Sequence, residues 1–191
     1  IQSGVLRPRP SPYAATYVLF RIDDRHAGRE LMRRFGAVVT SAAHPTSPAG
    51  DTWVSVALTY SGLVALGVPR ASLESFAWEF QQGMAARADA LGDTGESSPA
   101  HWEKPLGSRA VHVIMTALAP GRARLEAALS RARDAYAHLP GVTAIWRQDC
   151  HALSTGREPF GYRDAIGQPA IEGSDLPPTN TREPPLKAGE F

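Results

Sequence analysis

The chain has very little thiol: Cys150 is the single cysteine in 191 residues. One thiol excludes an internal disulfide and a cysteine-based metal cluster. It suits a reducing compartment, so the cytoplasm is the expected location. Charge imbalance is also nearly absent, since 20 Lys and Arg against 19 Asp and Glu leave a net charge of +1. No pull toward nucleic acid or a membrane surface follows, and neither is expected as a partner. No apolar run approaches the ~20 residues that a membrane-spanning helix needs. There is no P-loop, no zinc-type Cys/His spacing and no G-x-S-x-G nucleophile elbow. Cys150-His151 lacks the second cysteine of a C-x-x-C-H haem-attachment motif. His44, His101 and Glu103 are not spaced as metal ligands, so no metal site is expected from the chain's own residues.

What is present is an ordinary globular composition, 43% hydrophobic and 20% charged, in a chain long enough for one domain with a proper core. Period-two alternation predicts a strand over 13–22, with Ala14, Thr16, Val18, Phe20 and Ile22 on one face. Asp23-Asp24 can cap a helix running to about Phe35, with Ala27, Leu31 and Phe35 on its apolar stripe. A turn-rich loop over 41–51 precedes a second strand over 53–59. Ser61 is placed to cap a short helical turn ending near Gly67, and 71–90 reads as one longer helix. A polar loop over 92–107 leads to a third strand over 109–118. A helix over 121–139 is stopped by Pro140-Gly141, and a fourth strand runs from Val142 to about Cys150. This order predicts an α+β, ferredoxin-like plan: a four-stranded antiparallel sheet with helices on one face. The sheet's other face is left to meet a second sheet. Residues 1–173 are read as one domain and the Pro-rich stretch 174–191 as a linker.

The stretch Phe160-Gly161-Tyr162-Arg163-Asp164-Ala165-Ile166-Gly167-Gln168-Pro169-Ala170-Ile171-Glu172-Gly173 concentrates the candidate chemistry. Its glycines permit sharp turns or close backbone approach, and Asp164 is its lone acid before Glu172. From the residues alone, Asp164 serves equally to cap a helix, to pair with Arg163 or to move a proton. The four tryptophans, Trp53, Trp78, Trp102 and Trp146, are core or interface residues in the simplest reading, and an electron relay in another.

Gly161-Tyr162-Arg163-Asp164, followed by Ile166, Gln168 and Pro169, resembles the G-x-x-D-G signature of the dye-decolourising haem peroxidases, close to F-G-F-R-D-G-I-S-Q-P in its usual form. Residues 1–7 and 186–191 also resemble that family's N-terminal segment and its stretch just after the motif. The departure is Ala165, where the family has Gly. The resemblance covers the chain but only about the first half of a typical member. It implies one half of a dimeric α+β barrel peroxidase that uses hydrogen peroxide to oxidise bulky organic donors such as dyes. It also implies haem b as cofactor and an oligomeric enzyme. By the resemblance, Asp164 is the distal acid–base, and Ala165, Ile166 and Gly167 line the haem beside it. The iron ligand and a distal Arg are implied to come from an absent C-terminal half, as a second chain or segment. His151 and His112 are then structural, and Arg163 lies near a propionate or in solvent. The alternative is a ferredoxin-like binding or assembly module, or a haem-processing protein, on the same scaffold.

Overall fold

The computed structural model describes residues 2–6, 12–43, 52–163, 170–172 and 184–187. In chain order the elements are α1 (Ser3–Leu6), β1 (Ala14–Ile22), α2 (Arg25–Gly36), β2 (Trp53–Leu58), α3 (Tyr60–Ala65) and α4 (Arg70–Glu74). They continue with α5 (Trp78–Gln82), α6 (Ala88–Leu91), β3 (Val113–Ala119), α7 (Arg122–Arg133) and β4 (Val142–His151). The strands form one sheet in the order β2-β3-β1-β4, with every neighbouring pair antiparallel. The helix between β1 and β2, and that between β3 and β4, each return the chain past an intervening strand. This is the predicted ferredoxin-like arrangement.

The main core lies between the sheet and the pair α2 and α7. Val18, Phe20 and Ile22 of β1 meet Leu31 and Phe35 of α2, Val113 and Met115 of β3, and Leu125, Ala128, Leu129 and Ala132 of α7. Phe20, at 0% exposure, packs edge-on to Phe35 and Tyr136 at ring separations of 5.7 and 4.8 Å. Each large side chain so buried stabilises the fold by roughly 1.5–3 kcal/mol. The predicted face of β1 is therefore the helix-facing one. The opposite face is not open throughout, because Ala15 and Leu19 are buried too.

Local chemistry sets the element ends. Asp24 caps α2 by accepting from the Ala27 amide at 2.8 Å. The Asp23 and Asp24 amides donate to the Gly141 carbonyl at 2.8 and 3.1 Å, joining the start of α2 to the turn before β4. Gly141 has φ +88, and a Cβ there would come within 2.6 Å of the Asp24 Cβ, so only glycine suits the turn. The cap of α3 is Thr59 rather than Ser61: its hydroxyl accepts from the Gly62 amide at 3.0 Å. The single helix predicted over 71–90 is instead α4, α5, a 3₁₀ turn over Ala85–Arg87 and α6. Gly83, at φ +77, reverses the chain between α5 and the 3₁₀ turn, a break that the apolar spacing of Leu73, Phe76 and Phe80 does not reveal. The third strand starts at Val113, four residues past the predicted Arg109. The last helix gives way to turns after Arg133. The 92–107 loop contains two further 3₁₀ turns, Gly95–Ser97 and Pro99–His101.

One sheet edge is covered and the other is not. The Gln2 side-chain amide pairs with the backbone of Val56, donating Nε2 to its carbonyl at 2.8 Å and accepting its N–H on Oε1 at 2.7 Å. It thus occupies the outer edge of β2 as a further strand would. No described residue pairs with the outer edge of β4.

Candidate functional site

The candidate loop leaves the sheet at the end of β4. The Ala152 amide donates to the Tyr13 carbonyl at 2.9 Å and holds the exit beside the start of β1. A tight reversal follows: Arg157 and Arg163 form an antiparallel bridge, and the Glu158 amide donates to the Tyr162 carbonyl at 2.8 Å. Gly161 closes the turn at φ +89, its amide donating to the Glu158 carbonyl and its own carbonyl accepting from Arg157 Nη1 at 2.8 Å. The sharp turn expected at Gly161 is present. The reversal displays its aromatics outward, with Phe160 84% and Tyr162 72% exposed. Arg163 is exposed as well.

Asp164, Ala165, Ile166 and Gly167 lie outside the described residues. The chain is described again at Ala170–Glu172, where Ile171 forms a parallel bridge with Leu186. The Leu186 amide donates to the Ala170 carbonyl at 2.8 Å and the Glu172 amide to the Leu186 carbonyl at 2.9 Å. Leu186, in the predicted linker, is thereby paired with Ala170–Glu172.

A bulge in β4 decides what the second sheet face carries. The register with β1 shifts between Leu19 and Phe20, so that Trp146 faces Leu19 while Ala144 faces Phe20. The extra residue, Ile145, reverses the alternation. Val142 and Ala144 fall on the helix-facing side. Trp146, Gln148 and Cys150 are turned to the other, beside Tyr17 and Ala15. Arg147 and Asp149 turn toward the helix side, where Asp149 Oδ1 accepts from the fully buried Thr16 hydroxyl at 2.7 Å. Arg147 pairs with Asp149 at 3.0 Å, and these two partners, Arg147 first, hold the Asp149 carboxyl below its ordinary range. This ties the helix side to the edge strand and supplies no reactive group.

The second face carries a smaller apolar cluster of Ala15, Trp53 and Leu118, with Tyr13 and Cys150 against it. Trp146 donates its indole N–H to Glu103 at 2.8 Å, which draws the 92–107 excursion over this face. Helix α1 lies over the opposite border, where a Cβ on Gly4 would stand 2.8 Å from Ser55 Oγ. Beside α1 is a cavity of about 300 Å³ lined by Gln2, Tyr17, Trp53, Ser55, Thr116 and Leu118. That is the small end of the ligand-pocket range.

The described residues do not form a haem site. No group of three or more His, Cys, Asp and Glu among them is placed to hold a metal. The 300 Å³ cavity has no histidine in its lining. His26, His101, His138 and His151 are exposed. His112 is committed elsewhere: Nδ1 accepts from the Ile22 amide at 2.9 Å, so Nε2 carries the proton shared with the Arg109 carbonyl at 3.1 Å. The tryptophans divide: Trp53 is core, Trp102 donates to the Ser97 carbonyl at 2.8 Å, Trp146 holds Glu103, and Trp78 is 55% exposed. Sequence reasoning missed that the Arg87 guanidinium lies over the Trp78 ring, 5.1 Å from its centroid. No spacing signals this pair, because the reversal at Gly83 brings it together.

A two-layer α+β unit with this strand order, and a glycine-turned loop leaving its last strand, defines the class as ferredoxin-like. The family can be stated as well. Residues 1–140 match the family model described as the DyP dimeric alpha+beta barrel domain, and the chain belongs to that family of dye-decolourising peroxidases. The chain is 28% identical over 139 residues to Peroxidase 2 of Mycetinis scorodonius, covering 71% of this chain and 25% of that protein. An ancestral D-type dye-decolorizing peroxidase superposes with a TM-score of 0.72 at 22% identity, over 91% of this chain and 39% of that one. The enzyme from Auricularia auricula-judae gives 0.72 at 20% identity, over 92% and 39%. A dye-decolorizing peroxidase complexed with 2,6-dimethoxyphenol gives 0.73 at 21%, over 93% and 40%. The chain therefore spans a quarter of the curated relative and about two-fifths of the solved structures it matches.

Proposed function

We propose that this chain acts as the N-terminal half of a haem peroxidase that uses hydrogen peroxide to oxidise bulky organic donors. The observation that carries the reading is the family match over residues 1–140 together with the Gly161-Tyr162-Arg163-Asp164 motif immediately after β4. The haem, when bound, supplies the redox chemistry. The part of this chain is Asp164, which takes a proton from one peroxide oxygen and returns it to the other. Ala165, Ile166 and Gly167 give that carboxylate small, apolar neighbours. On this reading the iron ligand and haem b come with a C-terminal half on a second segment or chain. The sheet face bearing Tyr17, Trp146 and Cys150 is the side available to that half.

The test is reconstitution. The 191-residue chain is mixed with haem, alone and together with the C-terminal half of the same enzyme. The expected result is a Soret band and peroxide consumption only with both parts, and loss of most of the peroxide reaction in Asp164→Asn with the Soret band retained. Stoichiometric haem binding by the chain alone through an axial His overturns the division of labour. A second reading, a non-catalytic assembly module on the same scaffold, is favoured by Ala165 standing where the motif has Gly. It predicts reconstitution with no peroxidase rate for Asp164→Asn to remove.

A further inference from the structure

We infer that Trp78 and Arg87 form a binding site for a small planar aromatic acid, its carboxylate on the Arg87 guanidinium and its ring against the exposed part of Trp78. The inference lies outside the peroxidase reading and does not depend on it. Trp78 opens α5 and leaves 55% of its surface to solvent. After the reversal at Gly83, the 3₁₀ turn brings Arg87 back so that its guanidinium carbon stands 5.1 Å from the Trp78 ring centroid. The distance is that of a cation–π contact.

What sets this arginine apart is its unmet hydrogen bonding. Arg21, Arg33, Arg34, Arg70 and Arg147 each hold a carboxylate at 3.0 Å or closer. Arg87 holds none among the described residues. Its Nε is sealed from solvent with no acceptor, the one side-chain atom in that state among the described residues. The acids nearest along the chain do not relieve it: Glu74 is committed to Arg70, and neither Glu79 nor Asp89 bonds to it. A cation with a sealed N–H is poorly solvated and gains more from an anion than a hydrated one would. The residue as a whole is only partly buried. The two terminal nitrogens of a guanidinium match the two oxygens of a carboxylate. Met84, 57% exposed, lies between Trp78 and Arg87 in the chain and adds apolar surface. A fork-shaped cation beside exposed aromatic surface selects a ligand that is anionic at one end and flat and apolar at the other.

The probe is 2-naphthoate, titrated into the 15N-labelled chain while the indole and Arg Nε–H resonances are followed. Binding is expected with Kd on the order of 1 mM, moving the Trp78 indole and Arg87 Nε–H signals. Arg87→Gln should weaken binding by about tenfold or more, with the remaining spectrum unchanged as proof of fold. Arg87→Lys, which keeps the charge but not the fork, should fall between. The neutral isostere 2-naphthalenemethanol should bind wild type no better than Arg87→Gln, and acetate should bind far more weakly than naphthoate. The proposal is overturned if naphthoate moves Trp53 or Trp146 but not Trp78, if Arg87→Gln binds as tightly as wild type, if acetate binds as well, or if nothing binds.

Discussion

Gly62→Ala tests the tightest approach at any described glycine. Gly62 lies in α3, and a Cβ built there would sit 2.0 Å from the carbonyl oxygen of His112, 2.8 Å from its carbonyl carbon and 3.1 Å from its Cα. Carbon-to-oxygen contacts relax at about 3.3 Å or more, so helix and strand must part by more than an ångström. The atoms in the way are backbone and cannot rotate aside. They are also anchored, since the Thr59 amide donates to the His112 carbonyl at 3.1 Å and the Thr59 hydroxyl to the Val111 carbonyl at 2.6 Å. Overpacking of this kind costs ~1–3 kcal/mol. If α3 retreats, the Thr59 bonds are lost at ~1 kcal/mol each. Against this, alanine gains about 1 kcal/mol over glycine inside a helix. The net is a destabilisation of about 2–4 kcal/mol, or roughly 5–15 °C in Tm for a domain of this size. Urea unfolding followed by tryptophan fluorescence measures it. Gly36→Ala is the control, because nothing lies within 4 Å of a Cβ at that helix end. It should be neutral or stabilising by up to ~1 kcal/mol. If Gly62→Ala is as stable as Gly36→Ala, the close approach of α3 to the His112 carbonyl is wrong.

Phe20→Ala should cost about 3–5 kcal/mol, because it empties the position between Phe35 and Tyr136; a smaller loss in urea unfolding would mean the core closes around it. His112→Phe removes the acceptor for the Ile22 amide at 2.9 Å and should cost ~1–3 kcal/mol, with the Ile22 amide proton exchanging faster than in wild type. Glu30 is held at about 2, below its ordinary 4.5, chiefly by hydrogen bonds from Arg33 and then Arg34. Its folded-state value is lowered, so its contribution is complete above 4.5 and is lost as pH falls toward 2. Acid titration of stability should therefore show the gap between wild type and Glu30→Gln closing over that window, and a constant gap would contradict the pairing.

The sheet was readable because its strands are amphipathic in the simplest sense. Val18, Phe20 and Ile22 alternate, and Asp24 and Gly141 punctuate the ends with residues whose chemistry suits caps and turns. Three features were not readable, each for a definite reason. The apolar spacing of Leu73, Phe76 and Phe80 continues across the gap between α4 and α5, so the stretch reads as one helix although the chain breaks there and again at Gly83. The Ile145 bulge changes which β4 residues face the helices without altering composition, and pairing partners alone reveal it. The cap of α3 went to Thr59 because its hydroxyl can also donate to the Val111 carbonyl, a contact between residues far apart in sequence. In the candidate site, the turn at Gly161 was legible from glycine's freedom at positive φ. The roles of Asp164, Ala165, Ile166 and Gly167 rest on the motif, since those residues lie outside the described part of the chain.

The two borders of the sheet are treated differently, and the difference bears on where a second unit attaches. At β2 the Gln2 amide takes up the Val56 N–H and C=O, which leaves that border poorly suited to further pairing. At β4 alternate amides of Val142–His151 point away from β1 with no partner among the described residues. The chain runs from this unprotected strand straight into the reversal that exposes Phe160 and Tyr162, two aromatics standing in water beside the motif. Among the described residues the unpaired edge belongs to the strand that leads to the exposed aromatics, whereas the protected edge is that of β2. Under the proposed reading the C-terminal half meets the face bearing Tyr17, Trp146 and Cys150 from its β4 border. Amide exchange should then slow along β4 and in residues 157–163 when that half is added, with no change at Val56. Slowing at the β2 border instead, or protection confined to α2 and α7, would show that the second half binds elsewhere and would detach the motif from the interface.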